Sequence, residues 1–143
     1  CCDIAIGTPN ALFSLSEARL GLLPAVISPY VIEAIGARQA RRYFATGERF
    51  SAEKAHELGL LHELVEPHML DKAVDEMVQK LLDAGPVASG SAKQLINLMV
   101  STTDAVAQDE ANSRLIARLR VSPEGQEGLT AFLEKRKPSW MEQ

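Results

Sequence analysis

The chain has 143 residues, of which 46% are hydrophobic and 24% charged, and its formal net charge is −4. This length fits about one domain with a buried core, and the composition is typical of a globular protein, not of a disordered one. The acidic balance argues against a nucleic-acid partner bound through bulk charge. The sequence contains no run of about 18 apolar residues, so we expect no membrane partner.

The two cysteines, Cys1 and Cys2, are adjacent, and adjacent cysteines rarely form a disulfide because the geometry is strained. Two reduced thiols predict a cytoplasmic protein. No histidine pairs with a cysteine at a spacing typical of zinc ligands, so we predict no metal site. The chain also opens directly on an apolar run, from which we expect these residues to belong to a longer protein.

The first part of the chain predicts short strands. Apolar runs over 3–7 and 11–15 favour strands, because Thr8, Pro9 and Asn10 between them supply a turn. A further extended segment is predicted over 60–65. In the first part of the chain, strands are therefore followed by short helices.

Capping residues predict where those helices begin and end. Ser28, followed by a proline, is predicted to cap a helix that ends at Gly36, and a second helical segment follows over 38–46. Ser51 is predicted to cap a third helix, which stops at Gly59. The first part is thus a mixture of strands and short helices.

From Pro67 onward the apolar spacing predicts helices alone. Apolar stripes with a period of about 3.6 residues surround Val74, Leu95 and Leu115, and Ser122 is predicted to begin a last helix. These stripes can pack on one another and on the first part of the chain. They can also cover a subunit interface, since a thin helical layer has a second face.

One carboxylate, Glu17, lies among apolar and small residues just before Gly21 and Pro24 redirect the backbone. A carboxylate in such surroundings can serve as an acid or a base. Considered alone, a glutamate near a turn is more typical of a solvated surface. Both interpretations remain open at this point.

Five stretches together resemble the enoyl-CoA hydratase/isomerase (crotonase) family: 2–5, 13–24, 47–52, 55–61 and 127–138. The resemblance covers essentially the whole chain in the family's order. It implies an α/β fold, α+β by content here. Residues 1–66 would form the second, C-terminal part of a crotonase-like ββα spiral core, and residues 67–143 a helical C-terminal region that assembles into homo-trimers or hexamers.

The resemblance implies an enzyme that adds water across the 2,3 double bond of an enoyl-CoA thioester. Glu17 matches the family's second glutamate, which holds and activates the water. The implied partner is an acyl-CoA substrate, with coenzyme A as part of that substrate and no separate cofactor. Because the family's first half supplies the coenzyme A loop and the oxyanion-hole groups, we expect these 143 residues alone to be inactive.

The turn after Glu17 departs from typical hydratases. Pro24, Ala25 and Val26 stand where those enzymes have a glycine-rich turn beside the acyl chain. A larger, more apolar turn resembles the branch that acts on branched or carboxylated enoyl-CoAs, such as 3-methylglutaconyl-CoA. We therefore predict this turn as part of the acyl pocket.

The C-terminus carries two further candidates. Phe132 and Lys135 match family positions that contact coenzyme A, often on a neighbouring subunit. From residue type alone, Phe132 is typical of a core and Lys135 of a solvated tail. Trp140 is predicted to anchor the tail.

Arg38, Arg41 and Arg42 form a small basic group. Arg38 and Arg42 are four residues apart on one helix face, so they can meet an anion. The other interpretation is a solvated helix face or ion pairs with nearby glutamates.

Two alternatives to the hydratase interpretation remain open. One is a Δ3-Δ2 enoyl-CoA isomerase, which moves a double bond with one carboxylate. The other is a non-catalytic crotonase-like module for binding or oligomerisation. A glutamate ahead of Cys1 would favour the hydratase over the isomerase.

Overall fold

The computed structural model describes residues 2–141, and the chain divides into two compact units, Cys1–Asp75 and Glu76–Gln143. The division predicted from the sequence, 1–66 and 67–143, concerns the domains of the whole protein and stays a prediction.

The first unit contains two small two-stranded sheets. β1 (Ile6–Gly7) pairs in parallel with β4 (Glu63–Leu64), and β2 (Leu12–Phe13) pairs antiparallel with β3 (Phe50–Ser51). Strands β1, β2 and β4 lie within the three predicted segments, but each is only two residues long. Strand β3 was not predicted. The parallel pair joins positions nearly sixty residues apart, and everything between them forms the crossover.

The crossover is dominated by helix α1 (Ser28–Thr46), which is interrupted at Gly36, where φ is 73° and ψ is 154°. The predicted boundary at Gly36 is therefore a break within one helical segment. The N-cap is Ile27 and not Ser28, because the Ser28 hydroxyl donates back to the Ala25 carbonyl at 2.9 Å instead of capping forward. The helix ends at Gly47, which adopts φ 57°.

Helix α2 (Ala52–Glu57) begins as predicted. The Ser51 hydroxyl accepts a hydrogen bond from the Lys54 N–H at 3.3 Å, which satisfies a free donor of the first turn. Gly59 follows the helix in a left-handed conformation, with φ 84°. The cap and the stop predicted for this helix are both confirmed.

The core of the first unit joins these elements. The Phe50 ring stacks on Phe13 with centroids 5.7 Å apart and lies 4.4 Å from the Tyr43 ring. The other buried members of the core are Leu15, Val31, Ile35, Ala40, Ala52, Ala55 and Leu61. The core thus holds β2, β3, α1 and α2 together directly behind the Glu17 segment.

The remaining helices are α3 (Leu70–Asp83), α4 (Pro86–Ser101), α5 (Ala105–Arg120) and α6 (Pro123–Glu134). The division between the two units falls within α3. The predicted start of the last helix is confirmed, since the Ser122 hydroxyl accepts from the N–H of the third residue beyond it at 3.0 Å.

The N-terminus of α4 is capped by a residue of α6. Glu124 accepts hydrogen bonds from the N–H groups of Val87 at 2.9 Å and Ala88 at 2.8 Å. Gly85 makes room for this carboxylate, because a Cβ at that position would lie 2.5 Å from Glu124 Oε1. A distant side chain thereby replaces the local cap that the sequence of α4 lacks.

The C-terminal tail returns to the end of α3. The indole N–H of Trp140 donates to the Asp83 carbonyl at 3.1 Å. Its ring also covers Gly128, where a Cβ would lie 3.1 Å from Trp140 Cη2. The predicted role of Trp140 as an anchor of the tail is confirmed.

Candidate active site

Glu17 lies in a 3₁₀ turn, Ser16–Leu20, that is closed by backbone hydrogen bonds. Gly21 ends the turn with φ 72°, and its N–H donates to the Ala18 carbonyl at 3.2 Å. The N–H of Leu22 donates to the Glu17 carbonyl at 3.0 Å. Backbone hydrogen bonds therefore fix the C-terminal end of the turn that carries Glu17.

The turn is held against the C-terminal end of α1. Arg19 Nε donates to the Thr46 carbonyl at 3.4 Å, and the stem of Arg19 lies over Gly47. Leu15, immediately before the turn, is buried in the core. These contacts attach the Glu17 turn to α1 and to the core of the first unit.

The Glu17 side chain is half-buried, and its Oε2 atom is buried without a hydrogen-bond partner among the described residues. Most buried polar atoms are paired, so each exception calls for an explanation. A carboxylate oxygen that lacks a protein donor can accept a hydrogen bond from water or from a substrate. Glu17 therefore has the free acceptor that a general base requires.

An apolar groove of about 480 Å³ begins where the Glu17 turn ends. Apart from three alanines of α1, its lining residues are Leu22, Leu23, Pro24, Ile32, Arg41 and Phe44. Of the predicted acyl-pocket turn, Pro24 is buried and lines this groove. Ala25 and Val26 do not line it, and Val26 is 89% exposed.

The arginines of the basic group on α1 make different contacts. Arg42 forms a two-point ion pair with Glu48, with Nε–Oε1 2.6 Å and Nη2–Oε2 3.2 Å, and this hydrogen bond lowers the pKa of Glu48. The predicted pairing of an arginine with a nearby glutamate is confirmed for Arg42. Arg41 instead lines the groove, a role that the sequence pattern did not indicate.

Phe132 and Lys135 lie at the end of α6, in the second unit. Phe132 is 79% exposed, so the alternative that it belongs to a core does not hold for this chain. Lys135 caps the helix in a left-handed conformation, with φ 54° and ψ 39°, and its side chain is exposed. Both side chains are accessible to a ligand, and the contact with coenzyme A stays a prediction.

The second unit contains a groove of about 440 Å³ between α4 and α5. Asn112 Oδ1 is buried there without a partner among the described residues, while Asn112 Nδ2 lies 3.6 Å from Met99 Sδ. The sequence pattern did not single out Asn112, since this helix has polar residues on several faces beside its apolar stripe.

Residues 2–141 contain neither a helix that could cross a membrane nor a group of side chains that could hold a metal ion. None of the helices there combines the length and apolarity that a membrane crossing requires. No three histidine, cysteine, aspartate or glutamate side chains in the same range lie close enough together to hold a metal ion. Cys2 is an exposed free thiol, and Cys1 lies outside the described residues.

Comparison with known proteins places the chain in a family. The family model described as enoyl-CoA hydratase/isomerase matches residues 1–143. The chain is 48% identical to an enoyl-CoA hydratase from Shewanella pealeana, whose crystal structure superposes with a TM-score of 0.91 over 98% of this chain and 52% of that one.

Two curated relatives are likewise matched over about half of their own length. A short-chain-enoyl-CoA hydratase from Clostridium acetobutylicum is 30% identical, over 95% of this chain and 52% of the relative. A 2,3-dehydroadipyl-CoA hydratase from Escherichia coli is 28% identical, over 97% of this chain and 54% of the relative. The chain spans about half the length of the curated relatives it matches. With its crotonase-like α/β fold, the chain belongs to the enoyl-CoA hydratase/isomerase family.

Proposed function

We propose that the whole protein is an enoyl-CoA hydratase, a lyase that adds water across the 2,3 double bond of an enoyl-CoA thioester. The observation that carries this proposal is the buried Oε2 of Glu17, which has no hydrogen-bond partner within residues 2–141. Family membership and relatives named as hydratases support it. The chain provides one half of the family's length, so the activity is proposed for the whole protein.

The proposed chemistry assigns Glu17 to the water. Water is a poor nucleophile, so the Glu17 carboxylate accepts one of its protons as the oxygen attacks C3. Negative charge then develops on the thioester oxygen, where two backbone N–H groups of the whole protein are proposed to stabilise it. The proton that Glu17 accepted is then available for transfer to C2, which completes the hydration and returns Glu17 to its carboxylate form. The turn and its contacts with α1 hold the carboxylate in position throughout.

Coenzyme A is proposed to contact Phe132 and Lys135. Phe132 offers an exposed apolar surface, and Lys135 offers a point charge suited to phosphate. Lys135 ends α6 in a left-handed conformation, and its exposed side chain is accessible to a ligand. A Lys135→Ala variant is expected to lose affinity for coenzyme A without losing stability.

The acyl chain is proposed to be branched or carboxylated, as in 3-methylglutaconyl-CoA. Pro24 lines an apolar groove that follows Glu17, so the turn shapes the space beside the acyl site. The relative named as a 2,3-dehydroadipyl-CoA hydratase acts on a chain with a second carboxylate, which supports this substrate class. Comparison of crotonyl-CoA with 3-methylglutaconyl-CoA tests the proposal, and a strong preference for crotonyl-CoA contradicts it.

The whole protein is also proposed to form homo-trimers or hexamers. The second unit exposes large apolar side chains that a monomer would leave in water, among them Phe132, Leu133 and Val121. Light scattering on the whole protein measures the assembly directly, and a monomeric mass rejects the proposal.

A Glu17→Gln variant of the whole protein tests the hydratase assignment. The amide keeps the shape of the side chain but cannot act as a base, so we expect hydration of crotonyl-CoA to fall by a factor of about 10² or more. The matched control is Glu33→Gln, an exposed glutamate of α1. An unchanged rate in Glu17→Gln rejects the assignment. Conversion of 3-enoyl-CoA to 2-enoyl-CoA by a wild-type protein that does not hydrate crotonyl-CoA would favour the isomerase.

A further inference from the structure

The groove beside the Glu17 turn is apolar at eight of its nine lining positions, and the ninth is Arg41. Ligand pockets of several hundred cubic ångströms are typically apolar, with a few polar groups that fix the orientation of the ligand. A single cation in such a lining marks the point where a negative charge of the ligand would lie. The groove therefore presents one positively charged side chain among apolar ones, which distinguishes it from an uncovered apolar surface.

Arg41 is unpaired, in contrast to arginines near it. Arg42 is occupied by Glu48 at 2.6 Å, and Arg19 donates to the Thr46 carbonyl at 3.4 Å. Within residues 2–141, Arg41 has neither a hydrogen bond nor an ion pair. Its guanidinium thus retains five N–H donors in a planar fork, which matches the two oxygens of a carboxylate.

The groove is also joined directly to the catalytic turn. The N–H of Leu22, a lining residue, donates to the carbonyl of Glu17 at 3.0 Å. Leu22 and Leu23 are 65% and 71% exposed, so their side chains form an open apolar wall next to that turn. The wall begins at the second residue after the Ser16–Leu20 turn that carries Glu17.

We propose that Arg41 binds a carboxylate at the far end of the acyl chain, so that the preferred substrate is an enoyl-CoA with a second, distal carboxylate. This inference rests on the proposed hydratase function and narrows its substrate class. Arg41 is exposed, so a chain without that carboxylate leaves the guanidinium hydrated and gains no contact from it. A chain with it forms a charge-assisted, two-point contact in a largely apolar setting.

Two substrates and two variants of the whole protein test the proposal. The substrates are crotonyl-CoA, which has no distal carboxylate, and 2,3-dehydroadipyl-CoA, which has one. In Arg41→Gln we expect the ratio of kcat/KM for 2,3-dehydroadipyl-CoA to that for crotonyl-CoA to fall about tenfold or more, mainly through KM. Arg41→Lys keeps the charge without the fork and should give a smaller fall. Arg38→Gln, on the same helix but outside the lining, is the control and should keep the wild-type ratio.

The possible results separate this proposal from the function on which it rests. If Arg41→Gln hydrates both substrates with the wild-type ratio, the role of Arg41 is rejected and the hydratase function stands. If the wild-type protein hydrates none of crotonyl-CoA, 2,3-dehydroadipyl-CoA and 3-methylglutaconyl-CoA, the hydratase function itself is rejected. If Arg41→Gln keeps the ratio but changes the mass measured by light scattering, the groove is an interface between copies of this chain, which also rejects the proposal.

Discussion

Arg136 and Glu127 form a two-point ion pair at the C-terminal end of the chain, with Nη1–Oε1 2.6 Å and Nη2–Oε2 2.9 Å. The same carboxylate accepts the N–H of Ser139 at 2.9 Å. Together the arginine and this backbone N–H lower the pKa of Glu127 to about 2. The pair links α6 to the tail that follows it.

The first prediction follows from that lowered pKa. A carboxylate whose pKa is lower in the folded state stabilises the fold at pH values above its ordinary pKa of 4.5, and the stabilisation is lost as the pH falls towards about 2. We therefore expect Glu127→Gln to lower Tm at pH 7 and to show a smaller further loss of Tm between pH 5 and pH 2 than the wild type.

The control for Glu127 is Glu110→Gln, which breaks the single-contact pair with Arg114 on α5. Both side chains of this pair are largely exposed, so the pair is expected to contribute little to stability. Equal pH profiles of Tm for Glu127→Gln and the wild type would contradict the prediction.

The second prediction concerns the cap that Glu124 provides for α4. Glu124→Ala removes both acceptors from the N–H groups of Val87 and Ala88, and loss of such a cap costs about 1 kcal/mol. Glu124→Gln keeps one acceptor oxygen and should cost less. Thermal unfolding and hydrogen exchange at Val87 and Ala88 measure the effect. Unchanged exchange in Glu124→Ala would show that water replaces the carboxylate without loss.

The third prediction concerns Phe50 in the core of the first unit. Its ring contacts Phe13 and Tyr43, and its side chain is only 7% exposed. Phe50→Ala is expected to lower the free energy of unfolding by about 3–5 kcal/mol, because it removes apolar contacts and leaves a cavity. Phe50→Leu retains much of the volume and should cost clearly less. Chemical denaturation compares the two variants, and a similar loss in both would argue against a cavity as the cause.

Local chemistry was enough to predict some parts of this fold. Ser51 and Ser122 cap helices with their own hydroxyl groups within three residues, so a short stretch of sequence contains the whole interaction. Gly36 was predicted as a boundary because glycine is common at helix ends, and its backbone does leave the helical region there. Such features depend on neighbours along the chain.

Contacts between distant residues could not be predicted in this way. Glu124 caps a helix that begins more than thirty residues before it, and nothing near either position indicates the partner. Arg41 looked like one of three similar arginines, and only packing shows that it lines a groove while Arg42 pairs with Glu48. Glu17 was singled out by a family resemblance, whereas its unpartnered oxygen is visible only in three dimensions.

The last prediction concerns Gly47, which supports the Glu17 turn from the end of α1. Its φ of 57° is left-handed, and a Cβ there would lie 3.0 Å from Arg19 Cγ. Gly47→Ala therefore combines backbone strain of about 1–2 kcal/mol with displacement of Arg19 from the Thr46 carbonyl. Since Arg19 belongs to the same turn as Glu17, we expect a loss of stability and a lower kcat for hydration.

Gly21→Ala separates the two causes. Gly21 has a similar left-handed conformation, with φ 72°, but a Cβ there would meet nothing within 4 Å. Thermal unfolding of this variant measures the backbone strain without the displacement of Arg19. A larger loss of Tm in Gly47→Ala than in Gly21→Ala assigns the difference to the contact with Arg19. Equal losses would mean that Arg19 adds nothing to the support of the turn, and that Glu17 is positioned by the backbone hydrogen bonds of its own turn.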